Sequence, residues 1–111
     1  MALSGQLKRL AGPAFIASSA TNIYTPAAST IYTQIRHMHI SNVTAGAITF
    51  SLYVGATGAS AAGTELFKSH SIPANSEFDY YCNMKMESTD FLVGIASAGS
   101  SLTIVVEAEQ I

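Results

Sequence analysis

Residues 35–54 read IRHMHISNVTAGAITFSLYV, and the fold follows from how this stretch is interpreted. In its second half Ile48, Phe50, Leu52 and Val54 are apolar, and Thr49, Ser51 and Tyr53 stand between them. That is period two, the pattern of a strand with one buried and one wet face. A helix would scatter the four apolar residues around its circumference. The first half belongs to a longer strand, Ile31 to Ile40, in which neither face is purely apolar. Met38 and Ile40 are expected to point inward, with His37 and His39 outward. Ser41 to Gly46 supplies the turn, with Asn42 and Gly46 suited to unusual backbone dihedrals. The two strands are expected to pair as a hairpin.

Similar signals run outward from this centre. Thr21 to Tyr24 reads as a short strand closed by Thr25-Pro26, at an edge or a turn because proline donates nothing to a ladder. Gly55 to Gly63 is a small, uncharged loop that lacks the Gly-Lys-Ser/Thr ending of a phosphate cradle. Glu65 to Ile72 is a strand of mixed pattern, and Pro73 to Ser76 turns the chain. Phe78, Tyr80, Cys82, Met84 and Met86 then alternate with Asp79, Tyr81, Asn83, Lys85 and Glu87. Phe91 to Ser97 carries Gly94, a mark of a bulge or a close backbone approach. Leu102, Ile104 and Val106 alternate with Thr103, Val105 and Glu107 in the last strand. Seven or eight short strands with regular turns predict an all-β fold, an antiparallel β-sandwich of jelly-roll or immunoglobulin-like type.

The N-terminal segment stands apart. Leu3, Leu7 and Leu10 fall at helical spacing before Gly12-Pro13, which predicts an arm or a short helix. Residues 1–19 are therefore assigned to an N-terminal arm and residues 20–111 to the β-sandwich domain. Gly12-Pro13 also interrupts the apolar run after Lys8-Arg9, so a signal peptide is not expected.

Charge is sparse. Only 11% of the 111 residues are charged, against a usual ~25%. A surface so poor in charge suits a component covered by other protein. Residues 1–64 hold no carboxylate, and all seven acidic residues follow. No basic cluster favours nucleic acid, and no segment is long and apolar enough to predict a membrane helix. Cys82 is the one cysteine, which rules out an intrachain disulfide.

The candidate chemistry is thin. His37 and His39 share a strand face, but zinc wants three or four ligands, and His70 is the only other histidine. They are read as surface or interface histidines, with no metal and no cofactor expected. Cys82 lies mid-strand among apolar residues and reads as a small hydrophobe. Glu107 and Glu109 share a face near the chain end and read as solvated. Asn42-Val43-Thr44 matches a glycosylation sequon and reads as a turn. Tyr53 and Tyr81 fall outward by alternation, the placement of interface tyrosines.

Four stretches resemble small structural proteins of tailed-bacteriophage virions: Ile35 to Ile40 leading to Asn42, Phe50 to Gly55 before an Ala/Gly loop, Ile72 to Asn75, and Asp90 to Leu92. The resemblance spans roughly residues 31–109. It implies a self-associating β-sandwich, often a homotrimer, and no enzyme activity. The expected function is a capsid decoration (cement) protein bound to a major capsid protein on the virion surface after synthesis in the host cytoplasm. A minor tail, neck or adaptor component is the alternative, and a carbohydrate-binding module the third. Leu3, Leu7, Leu10, Phe15, His37, His39, Tyr53 and Tyr81 are the expected interface residues.

Overall fold

Among the residues that a computed structural model describes (6–26, 33–55, 63–87 and 89–110) every regular element is a strand. The eight are β1 (Gln6–Phe15), β2 (Thr21–Tyr24), β3 (Thr33–Asn42), β4 (Ile48–Gly55), β5 (Glu65–Ile72), β6 (Glu77–Met86), β7 (Phe91–Ala96) and β8 (Leu102–Gln110). They form two four-stranded antiparallel sheets, ordered β1-β8-β3-β6 and β2-β7-β4-β5. Consecutive strands change sheet at every step except β4 to β5. Eight strands in this order make a jelly roll, the double-sheet arrangement of two Greek keys. The immunoglobulin alternative is thereby set aside.

The order also corrects the expected hairpin. β3 and β4 lie in opposite sheets, so residues 35–54 form an arch across the sandwich. Asn42 holds the arch. The residue is 3% exposed. Nδ2 donates to the carbonyls of Gly46 at 2.8 Å and Ile72 at 3.0 Å, with that of Pro73 at 3.2 Å. Oδ1 accepts from the Thr44 backbone N–H at 3.0 Å and hydroxyl at 2.7 Å. The turn therefore depends on Asn42 side-chain bonds, and neither Asn42 nor Gly46 has a positive φ. The sequon reading as a turn fits this geometry.

Between the sheets, Ile35, Met38, Ile40, Phe50, Leu52, Leu92, Leu102, Ile104 and Val106 are all buried, with Ile16 and Ile72. Burying an aliphatic or Phe side chain contributes roughly 1.5–3 kcal/mol, so this cluster is the main source of stability. Bulges, one on β3 and two on β5, explain the strands whose patterns looked mixed. On β3, Ile35 lies opposite Ala108 and His37 opposite Glu107, so Arg36 is the extra residue. The phase switches there, and Thr33 and Ile35 before it share the buried face with Met38 and Ile40 after it. On β5, Phe67 faces Leu52 and His70 faces Phe50. The added residue includes Ser69, whose φ is 50° and whose N–H donates to Ser51 Oγ at 2.9 Å. His70 consequently turns inward and packs 4.4 Å from Phe78 and 5.4 Å from Phe50, ring centroid to centroid.

Gly94 marks a close approach, made by side chains and not by another backbone or a bulge. A Cβ there would sit 2.5 Å from Ile23 Cδ1 and 3.3 Å from both Ile16 and Leu52.

The N-terminal segment departs from the helical reading. Gln6–Phe15 is an edge strand paired along β8 from Gln6↔Gln110 to Phe15↔Thr103. The helical spacing was too short to stand alone, whereas the open edge of β8 offers a full ladder. The strand shifts register twice, between Arg9 and Ala11 and again between Ala11 and Ala14, where Gly12 has a φ of 82°. A Cβ at Gly12 would overlap the Ile104 carbonyl oxygen, so the chain passes β8 closely only because this residue is glycine.

Candidate functional site

The outer face of the first sheet carries the polar groups. β3 runs down its centre, with β8 on one side and β6 on the other. The bulge at Arg36 turns His37 and His39 outward together. Asp79 on β6 lies directly opposite His39, and Tyr81 opposite His37. Glu107 on β8 lies opposite His37 from the other side. Cross-strand and diagonal neighbours of this kind are within side-chain reach.

The two imidazoles converge on one carboxylate oxygen. His37 Nε2 is 2.7 Å from Asp79 Oδ1, and His39 Nδ1 is 2.6 Å from the same atom. The far nitrogens are also held. His37 Nδ1 lies 2.8 Å from Glu107 Oε1, and His39 Nε2 lies 3.0 Å from Ser41 Oγ. Tyr81 stacks on His37 at 4.3 Å with 7° between the planes. Beside them Arg36 donates to Asn83 Oδ1 and reaches Glu109 at 3.4 Å.

The electrostatics follow from these contacts. The hydrogen bond to Glu107, opposed by partial burial and reinforced by Asp79, raises the His37 pKa above 6.5. Hydrogen bonds from His39 and then His37 hold Asp79 below 3.8. Both shifts favour an imidazolium–carboxylate pair. Cys82 lies on the other face of β6. Burial pushes its thiol above 9.0, and it donates to the Ile35 carbonyl at 3.3 Å. Such a thiol carries little thiolate at neutral pH, in keeping with a packing role.

The residues expected to form an interface divide into several groups. His37, His39 and Tyr81 share the outer face, and Tyr81 is 73% exposed. Tyr53 is only 7% exposed, which corrects its outward, accessible reading. It sits on β4, between Glu65 of β5 and Val93 of β7, and a central strand has fewer open sides than alternation assumes. Leu7 and Phe15 stand exposed on β1, while Leu10 packs partly buried against the core. Leu3 lies outside the described residues.

Asp79 and Glu107 were missed as partners of the histidines. Alternation already put Asp79 on the wet face of its strand. The missing information was strand adjacency: forty residues separate His39 from Asp79 and seventy separate His37 from Glu107. No protein-family model, curated protein or solved structure matches this chain.

Proposed function

We propose that this chain is a non-enzymatic structural protein of a tailed-bacteriophage virion, a decoration protein that docks on the head and associates with copies of itself. The observation that carries this reading is the β1 edge. β1 pairs with β8 on one side only among the described residues. It holds two of the large apolar side chains left in water, Leu7 at 70% and Phe15 at 55% exposure. An open strand edge with exposed apolar residues is a place where another chain packs or adds a strand. Lys8 and Arg9 between them are exposed too. They discourage indiscriminate edge pairing and select a partner that offers carboxylates beside an apolar groove. The four virion-like stretches and the low charge content support the same assignment.

Docking would bury apolar surface at roughly 25 cal/mol per Å². Each contact is modest, and repetition over a shell offsets the entropy lost on docking. Truncating residues 1–13 is a poor test, because it would remove most of an edge strand and uncover β8. The double variant Leu7→Ser/Phe15→Ser leaves the ladder intact and is the better one. The expected result is an intact fold with weakened binding to purified heads and weakened self-association. Imaging of intact particles should place the protein on the head surface. Density confined to the tail or neck would reject the decoration role, and undiminished head binding by the double variant would reject the β1 edge as the docking surface.

A further inference from the structure

We infer that His37, His39 and Asp79 form a binding site for a divalent transition cation of the zinc class on the outer face of the β1-β8-β3-β6 sheet. Their candidate ligand atoms all lie within 4.8 Å of one another. Two imidazole nitrogens and a carboxylate oxygen are the donors that zinc, cobalt and nickel accept, and hard cations such as magnesium prefer oxygen throughout.

The distances suit such an ion after a small movement. Zinc holds nitrogen and oxygen at about 2.0–2.2 Å, so neighbouring ligands around a tetrahedral ion lie roughly 3.3 Å apart. Here the two nitrogens lie 2.7 and 2.6 Å from Asp79 Oδ1. Admitting an ion requires the carboxylate to withdraw by less than about 1 Å and the two imidazole nitrogens, which lie within 4.8 Å of each other, to come to the same tetrahedral spacing. The β3 ladder fixes the backbone of both histidines, the His39 ring can turn about its side-chain bonds, and the Asp79 side chain, about one-third exposed, has room to move.

A second observation points the same way. The nitrogen of each ring that faces away from Asp79 already has a partner, Glu107 for His37 and Ser41 for His39. Metal-ligating histidines characteristically hold their far N–H on a carboxylate or another oxygen, which fixes the tautomer and aims the lone pair. A simple surface ion pair needs neither the second histidine on the same oxygen nor the outer partners. The stacked Tyr81 ring further limits rotation of His37. Three protein ligands leave a remaining position open to water or to a group from a docked partner. The ion would tie β3 to β6 independently of the β1 edge.

The test is titration of the full-length protein with cobalt(II) at neutral pH, followed by visible d–d absorption and by calorimetry. One ion per chain is expected. His39→Ala and Asp79→Asn should each weaken binding at least as much as loss of the outer partner. Glu107→Gln should weaken it by about ten- to a hundredfold. Circular dichroism of each variant checks that the sandwich is folded, and these solvent-facing positions make that the expected result. Binding by the native chain no stronger than that of a folded His37→Ala/His39→Ala variant would overturn the proposal. So would binding that survives Asp79→Asn unchanged, since the two histidines would then be acting as an adventitious chelating pair.

Discussion

Strand β3 carries two polar clusters only three residues apart, and they behave oppositely. At its end Asn42 is buried, and both ends of its amide are engaged by backbone or by Thr44. In its middle His37 and His39 are partly exposed and bonded chiefly to side chains that can move. A buried hydrogen-bonded group cannot be removed without orphaning its partners, whereas water replaces partners at the surface. The first cluster therefore belongs to the fold. The second is free to serve a ligand.

Breaking the buried cluster should have the largest effect. Asn42→Ala strips the Gly46 and Ile72 carbonyls of their donor and should cost about 2–3 kcal/mol, read as a lowered midpoint in urea denaturation. A loss under about 0.5 kcal/mol would show that water repairs the arch and would erase the contrast. Gly94→Ala sharpens the comparison by removing no hydrogen bond. The added methyl meets Ile23, Ile16 and Leu52 and should cost about 1–2 kcal/mol by overpacking, measured in the same way.

At the exposed cluster the metal-free effect should be small. His39→Ala, in the presence of a chelator, should change stability by no more than about 0.5 kcal/mol, as for an exposed pair. A larger loss would make the histidines structural.

The smallest effect is on pH dependence in the metal-free protein. The His37 pKa is raised, so its contribution is full below 6.5 and fades as pH rises through the higher folded value. The Asp79 pKa is lowered, so its contribution is present above 3.8 and fades as pH falls through the lower folded value. Melting temperatures of the native chain and His37→Ala should therefore differ most between these limits. A difference that grows above neutral pH would contradict the assigned pairings.

Much of the sandwich was legible because alternation reports burial directly. β6 follows it from end to end and β8 from Leu102 to Glu109, and their inward residues are the ones expected. β3 and β5 did not read cleanly because each carries a bulge, and one added residue moves every later side chain to the other face. The N-terminal leucines misled for a different reason. Leu7 and Leu10, at helical spacing, are equally compatible with a strand when an open edge such as that of β8 is available. Tyr53 misled because alternation identifies a face without saying what covers it.

The sequence by itself determined that this protein is a sandwich of short antiparallel strands, since period two and turn residues are local properties. It also placed His37, His39 and Asp79 on wet faces of their strands. Only the tertiary structure decided that residues 35–54 cross between sheets, that the order is that of a jelly roll, and that Asp79 and Glu107 flank the histidines. Those facts depend on which strands become neighbours. Neighbour choice is made by burial summed over both sheets, so no single stretch of sequence carries it.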